Sequence, residues 1–280
     1  MKQWAFTLPL IICVAATTAC SSSTKPAPGG AGGGSTGGNA DEKLLPIGST
    51  GYMSAPDLGI QGAWYSYGDG VGPDGMTASG DCEKAGHAVT DCSSITTPLF
   101  GSFDNDGTGL HTAGTVELVG NTTTGTMMCP TVQTDCDYTA MWGAGIGVDV
   151  NNAGNADGGT AMKMPLGAAA TTNKIVGVAF DIDQIPLPKL RVEFPMPNTT
   201  DSAHVYTPTG GDFHSPLIVG HNRIIFATDL VQPSYVAANM VVPFDPTQLV
   251  SIQFHVPTST SSGPSPYDFK ISNFAAIIGQ

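Results

Sequence analysis

Short runs of alternating apolar and polar residues recur along most of this 280-residue chain, and no region keeps the three-to-four spacing of an amphipathic helix. Clusters of Gly, Pro, Asn and Asp, which are typical of turns, separate the runs. The pattern predicts strands over residues 60–67, 113–119, 138–150, 174–181, 189–194, 223–229, 249–256 and 267–274. Their number and spacing favour an all-β fold, a jelly-roll β-sandwich of about eight antiparallel strands.

Alternation along a strand assigns its side chains to two faces. In the fifth predicted strand the apolar residues hold alternate positions, which places Arg191 and Glu193 together on the opposite face. In the seventh predicted strand the same rule places Gln253 and His255 on a polar face. Because the apolar face of a half-buried strand turns toward the core, these four side chains are expected on the outside of the sandwich.

The first predicted strand carries aromatic side chains on both faces. Tyr65 and Tyr67 share one face, and Trp64 lies on the other. Rigid aromatic rings stack on the flat C–H faces of sugars, while amides and charged groups bind the hydroxyls. Tyr65 and Tyr67, with the four polar residues named above, are therefore candidate carbohydrate-binding residues. In the alternative interpretation the tyrosines only cover a sheet edge, and Arg191–Glu193 is a solvated ion pair of little energetic value.

Glycines at alternate positions mark the segment Met141–Asn152. A dinucleotide fingerprint would need a later third glycine and a helix, and neither follows here. Gly143, Gly145 and Gly147 instead leave one face of a strand without side chains, so something bulky must approach it closely. The candidates are aromatic rings of the facing sheet or a ligand in a groove. Trp142, which alternates with the glycines, is predicted to be part of the core.

The chain begins with a lysine followed by an apolar run, which is shorter than the about 20 residues that span a bilayer and is typical of a secretory signal peptide. Thr17–Cys20 resembles the lipobox of bacterial lipoproteins, in which the cysteine is lipidated. The resemblance implies a signal peptide over residues 1–19, a lipid anchor at Cys20 and an outer-membrane or cell-surface location. Ordinary signal cleavage near Ala19 is the alternative.

Residues 20–43 contain almost no large apolar side chains and are rich in Gly and Ser, which predicts a disordered, flexible linker. Residues 44–280 are long enough for one domain with a sizeable core, and we assign the sandwich to them. The formal net charge of −13 excludes a nucleic-acid partner, since such proteins need clustered Lys and Arg. The membrane contact we expect is only through the lipid anchor.

Cysteine usage agrees with export. Cys82, Cys92, Cys129 and Cys136 remain once the leader and the anchor are set aside, and four cysteines in an exported chain predict two disulfides. Three pairings are possible. Pairing of sequence neighbours, Cys82–Cys92 and Cys129–Cys136, is favoured because both intervals are polar and loop-like.

Catalytic motifs are missing from the sequence. There is no Gly-x-Ser-x-Gly nucleophile elbow. Glycoside cleavage needs two carboxylates that flank the bond, and nothing in the sequence brings Glu117 and Glu193 together. We therefore expect that the protein is not an enzyme.

The predicted strands, in their order, look like the galactose-binding-like jelly roll of bacterial carbohydrate-binding modules of the family-eleven type. The segments that carry the likeness are 59–70, 141–151, 173–183, 189–197, 244–256 and 267–274. The resemblance implies non-catalytic binding of a polysaccharide. In the family an aspartate on the last strand often binds a structural calcium ion, and Ser272 stands in its place here. Asp268 or Asn273 would then supply oxygen ligands for calcium, and no other cofactor is implied.

The sequence thus favours a lipid-anchored surface protein that binds a polysaccharide or cell-surface glycan without cleaving it. Two other hypotheses remain. One is a structural or adhesive surface protein whose sandwich contacts another protein. The other is a glycoside hydrolase on the same scaffold.

Overall fold

The protein is described by a computed structural model, and its regular structure is almost entirely β. The residues that the structure describes are 39–48, 51–70, 82, 92–97, 109–116, 142–152, 164–186, 190–199, 211–234, 236, 238–239, 241–257 and 265–280. Within them lie twelve strands, one α-helix of 5 residues and one 3-10 helix of 3 residues. No helix among these residues has the length and hydropathy needed to cross a bilayer.

The strands are β1 (Glu42–Leu44), β2 (Tyr52–Ala55), β3 (Ile60–Gly68), β4 (Ser94–Thr97), β5 (Gly109–Val116), β6 (Gly143–Asp149), β7 (Ile175–Ile182), β8 (Arg191–Phe194), β9 (Phe213–Pro216), β10 (Gly220–Ile225), β11 (Ser251–Pro257) and β12 (Ser265–Ile278). The α-helix, α1, is Ala168–Thr172, and the 3-10 helix is Pro246–Gln248.

Two sheets of six strands form the fold. The first sheet has the order β10-β7-β12-β5-β4, with β1 paired to β12, and the second has the order β2-β3-β6-β11-β8-β9. All strand pairs are antiparallel. Three of the pairs, β2-β3, β4-β5 and β8-β9, join consecutive strands, and the others join strands that are not consecutive in the chain, as in a β-sandwich with long connections. The predicted all-β sandwich is confirmed.

The core lies between the two sheets and is centred on aromatic rings. Trp64 of β3 and Phe254 of β11 project from the second sheet, and Phe180 of β7 and Phe274 of β12 project from the first. The Phe180 and Phe254 ring centroids are 4.8 Å apart, and those of Trp64 and Phe274 are 5.3 Å apart. Both pairs meet edge to face, an arrangement that the ring quadrupoles favour. Trp64 is only 1% exposed, which confirms the face predicted for it.

The prediction of about eight strands was too low. The structure adds β1, β2, β4 and β9, each of 3 or 4 residues. Strands this short show at most one or two alternations, so their pattern does not stand out from that of a turn. The strand predicted over residues 223–229 ends earlier, at Ile225, because Asp229 accepts the Ile225 N–H at 2.7 Å and closes a turn.

The described structure begins a little before the predicted domain start at residue 44. β1 begins at Glu42 and pairs with the second half of β12. Arg223 of β10 binds Asp41 at 2.8 Å and also contacts the Glu42 carboxylate. These polar residues belong to the fold through ion pairs, which an apolar periodicity does not reveal.

Candidate functional site

The outer face of the second sheet, the face turned away from the first sheet, carries the residues predicted to bind carbohydrate. Tyr67 of β3 lies opposite Gly145 of β6, and Gly145 lies opposite His255 of β11. His255 in turn lies opposite Arg191 of β8. One row across the sheet therefore reads Tyr67–Gly145–His255–Arg191.

The adjacent row, two residues along each strand, has the same construction. Tyr65 lies opposite Gly147, Gly147 opposite Gln253, and Gln253 opposite Glu193. The structure thus brings all six predicted residues onto one face, from strands that are far apart in sequence. His214 of β9 extends this row, since it lies opposite Glu193.

The glycines of β6 are covered by rings of the neighbouring strands. A Cβ added to Gly147 would lie 2.7 Å from Cζ of Tyr65, and one added to Gly145 would lie 2.9 Å from Oη of Tyr67. The expectation of rings from the facing sheet, or of a ligand on the glycines, was wrong. The occupants come from the same sheet, because tyrosine side chains of β3 lean across the strand beside them.

Trp142 corrects a second expectation, since it lies on the outer face and not in the core. Its ring stacks on Tyr67 with centroids 5.8 Å apart and an interplanar angle of 22°. It meets the His255 ring edge to face at 6.0 Å. The cause is Gly143, the first residue of β6, whose φ of 119° breaks the alternation between Trp142 and the rest of the strand. We call Tyr65, Tyr67 and Trp142 the aromatic row.

Arg191, Glu193 and His255 form what we call the charged network. Nε of Arg191 donates to Oε1 of Glu193 at 2.5 Å, and Nδ1 of His255 lies 3.0 Å from the same oxygen. Nε2 of His255 lies 2.9 Å from the Trp142 carbonyl oxygen, which ties the network to the aromatic row. Beside it, Gln253 donates to the Tyr65 hydroxyl at 3.2 Å.

Electrostatics keep Glu193 ionised although it is buried. Burial acts to raise the pKa of Glu193, but the charges and hydrogen bonds of His255 and Arg191 outweigh it and lower that pKa to about 2. Burial, together with the nearby Glu193 charge, raises the pKa of Tyr67 well above its usual value. Glu193 is therefore an acceptor at neutral pH, and Tyr67 keeps its hydroxyl proton.

Three residues of the site have no clear signal in the sequence. Asp69 is a fully buried carboxylate that accepts the N–H groups of Trp142 and Gly143. Its one hint is its place between two glycines at the end of an alternating strand. The alternation predicts the wrong face for Trp142, and His214 lies on a strand of only 4 residues, too short for its pattern to stand out. Burial lowers the pKa of His214, and the Arg191 charge adds to this effect.

The residues proposed for calcium lie on the first sheet, away from this face. Oδ1 of Asp268 is 2.6 Å from Nε2 of His111, and Nδ2 of Asn273 donates to Asp181 at 2.6 Å. Asp268 and Asn273 therefore have different partners. Among the described residues, no group of three or more His, Cys, Asp and Glu side chains is arranged to hold a metal ion.

The structure contains one of the disulfides that the sequence favours. Cys82 and Cys92 are bonded, with their Cα atoms 5.8 Å apart. Cys20, Cys129 and Cys136 lie outside the described residues, as do the signal peptide and nearly all of the predicted linker.

Comparison with known proteins does not assign the chain to a family. No protein-family model matches the chain, and no curated protein sequence matches it. Among solved structures, the chain is similar to the protein of "Solution structure, dynamics and binding studies of CtCBM11", at 13% identity. The match covers 86% of this chain and 96% of that one, with a TM-score of 0.34. At this level of similarity the match carries no argument about fold or ligand.

Proposed function

We propose that this protein binds carbohydrate without cleaving it, on the outer face of the second sheet. The observation that carries the proposal is that the aromatic row and the charged network lie side by side on that face. Tyr65 and Tyr67 have ring centroids 6.0 Å apart, and Tyr67 and Trp142 have centroids 5.8 Å apart, so the rings are continuous.

The chemistry of the face matches that of a sugar. Aromatic rings stack on C–H faces, and their quadrupoles favour the slightly positive hydrogens. Charged donors and acceptors such as Arg191 and Glu193 make stronger hydrogen bonds to hydroxyls than neutral groups do. Because several rings follow one another, a polysaccharide or cell-surface glycan with repeated faces fits this row better than a single sugar.

The state of Glu193 supports binding over hydrolysis. A glycosidase needs a carboxylic acid that protonates the leaving oxygen, and its pKa is usually raised for that purpose. The pKa of Glu193 is instead lowered to about 2, so this residue has no proton to give near neutral pH. Glu117, which the glycosidase hypothesis would pair with it, lies outside the described residues.

The proposal also includes a cellular location and a structural calcium ion. We place the protein at the outer membrane or cell surface, attached through lipidated Cys20, on the basis of the N-terminal sequence alone. Structural calcium bound by Asp268 or Asn273 is proposed on the family resemblance. Chelation during the binding measurement tests it, since a bound structural ion would raise the melting temperature and chelation would lower it.

The two arginines of the chain allow a matched test. Arg191 lies in the charged network, and Arg223 pairs with Asp41 on the first sheet. The full chain is screened on a glycan array, and affinities are then measured for Arg191→Ala and Arg223→Ala. We expect Arg191→Ala to weaken binding about tenfold or more, equivalent to about 1.4 kcal/mol, and Arg223→Ala to leave it unchanged.

Two outcomes would contradict the proposal. If the folded wild-type chain binds no polysaccharide at sub-millimolar sensitivity, it is not a carbohydrate binder, and the adhesive hypothesis takes its place. If both arginine variants bind as tightly as the wild type, a ligand is bound elsewhere than on this face.

A further inference from the structure

The side chain of Asp69 connects three segments of the chain beneath the aromatic row. It is 0% exposed and lies just after β3. Its Oδ2 accepts the N–H of Trp142 at 2.8 Å and that of Gly143 at 2.6 Å. Its Oδ1 accepts the N–H of Ser93 at 2.8 Å. Both carboxylate oxygens are thus used, each toward a different segment.

The backbone of Asp69 repeats these connections. Its N–H donates to the Gly143 carbonyl at 2.9 Å, and its carbonyl accepts the Cys82 N–H at 2.9 Å. Cys82 is bonded to Cys92, the residue before Ser93. The disulfide therefore joins Cys82, which donates to the Asp69 carbonyl, to Cys92, whose neighbour Ser93 donates to the Asp69 carboxylate.

The packing here leaves no room for adjustment. A Cβ added to Gly70 would lie 2.0 Å from the Ser93 carbonyl oxygen, so the chain after β3 and the segment at Ser93 are in direct contact. Burial raises the pKa of the Asp69 carboxyl, while the backbone N–H donors act against that shift. The contacts of Asp69 with described residues include no positively charged group, so the buried carboxylate depends on those donors for its stability.

Trp142 is held at both ends of its peptide backbone. Its N–H donates to Asp69, and its carbonyl accepts from His255 of the charged network at 2.9 Å. Its ring also stacks on Tyr67, which lies in β3 two residues before Asp69. Asp69 and His255 therefore together set the position of the Trp142 ring on Tyr67.

We propose that Asp69 is the positioning residue for Trp142, and that through it the Cys82–Cys92 disulfide sets the geometry of the aromatic row. The ligand part of this inference rests on the proposed carbohydrate binding. Asp69 itself contacts no ligand. It acts through the Trp142 backbone, and the disulfide acts through the Ser93 and Cys82 contacts with Asp69.

The test uses the emission of Trp142 in the ligand-free full chain. Tryptophan fluorescence and its quenching by acrylamide are measured with and without Trp142→Phe in each background, which isolates the contribution of Trp142 from those of Trp4 and Trp64. In Asp69→Asn one oxygen becomes an NH2 group, which cannot accept an N–H. We expect the quenching of Trp142 to rise by about half or more, since a freed indole is more accessible to solvent.

The disulfide arm uses Cys82→Ser/Cys92→Ser, which leaves Cys129 and Cys136 in place. We expect it to raise Trp142 quenching in the same direction as Asp69→Asn, and to add little in the Asp69→Asn background, because both changes act on one connection. Asp149→Asn is the matched control. Asp149 is also buried and accepts a hydrogen bond from Asn152 at 2.9 Å, but it lies at the far end of β6.

Affinity for the glycan found in the array is measured on the same variants, and we expect a loss of about tenfold for Asp69→Asn with the melting transition retained. Unchanged Trp142 quenching in Asp69→Asn would overturn the inference, even if stability falls. If Asp69→Asn and Cys82→Ser/Cys92→Ser change Trp142 quenching additively, the disulfide does not act through Asp69, and that part of the inference fails. If the wild type binds no glycan, the proposed function fails, and the emission data still decide whether Asp69 positions Trp142.

Discussion

Two glycines of β6 look equivalent in sequence and have different surroundings in the structure. The three atoms nearest to a Cβ on Gly147 would all belong to the Tyr65 side chain, the closest at 2.7 Å. A Cβ on Gly145 would lie 2.1 Å from the backbone carbonyl oxygen of Phe254 in the adjacent strand. A side chain can rotate away from such a contact, whereas a paired strand can move only by distorting the sheet.

Gly147→Ala is therefore expected to displace the Tyr65 ring and weaken glycan binding, with a small change in stability. Gly145→Ala is expected to destabilise the fold by about 1–3 kcal/mol, as overpacking in a close-packed region does. Urea denaturation and affinity measurements on both variants check this. Equal stability losses in the two variants would contradict the distinction.

The charged network makes part of the stability dependent on pH. The pKa of Glu193 is lowered in the folded state from 4.5 to about 2, so its contribution is present above the unfolded value and is lost as the pH falls toward the folded one. The difference corresponds to roughly 3 kcal/mol. Its physical source is the attraction of the Glu193 carboxylate to His255 and Arg191, which outweighs the cost of burial.

Glu193→Gln is expected to lose stability near neutral pH, and the gap to the wild type should close as the pH falls below about 4. Denaturation curves across the acid range measure it. Asp57→Asn is the control, because Asp57 is exposed and lies 3.8 Å from Lys43 in a surface pair of little value. Parallel curves for Glu193→Gln and the wild type at all pH values would show that the network carries no pH dependence.

At the scale of elements, β1 is attached to the first sheet by charges as well as by its hydrogen bonds to β12. His221 of β10 contacts Asp181 at 2.7 Å and Glu42 at 3.3 Å. The hydrogen bond with Asp181 raises the pKa of His221. The contact with Glu42 raises it further, and burial acts in the opposite direction. Protonated His221 therefore stabilises the contact between β1 and β10.

Because the folded pKa of His221 is raised, its contribution is complete below the unfolded pKa of about 6.5 and disappears as the pH rises through the folded value. His221→Gln should lower the melting temperature more near about pH 5 than near about pH 9. Thermal unfolding at the two pH values checks the prediction. A mutational effect that grows with pH would contradict it.

At the scale of the molecule, one aromatic core joins the two sheets, and the candidate face lies outside it. β1, with which the described chain begins, belongs to the first sheet, while the aromatic row and the charged network lie on the outer face of the second. The protein is thus two-sided, with its described N-terminal end in one sheet and its candidate site on the other.

Trp64→Ala should cost about 3–5 kcal/mol, since it leaves a cavity between Phe254 and Phe274 at the centre of this core. Trp142→Ala, on the outer face, should cost much less. Urea unfolding with far-ultraviolet circular dichroism measures both. A two-step transition in Trp64→Ala would show that the sheets do not unfold together.

Local pattern was sufficient for the strands that are long enough to alternate. It gave the correct faces for Trp64, Tyr65 and Tyr67 in β3, where exposure alternates residue by residue. It failed for Trp142, because the backbone conformation of Gly143 reverses the side on which the ring lies. It was silent on Asp69, whose partners Ser93 and Trp142 are far from it in sequence.

The sequence by itself determined that the chain forms β-strands and which side chains of each longer strand share a face, because alternation is a property of the extended backbone. Only the tertiary structure decided that β3, β6, β11 and β8 are neighbours in this order. That order depends on the packing free energy of the whole sandwich, to which residues distant in sequence contribute. This strand order places Tyr65 and Tyr67 over Gly147 and Gly145, and it places the charged network beside them.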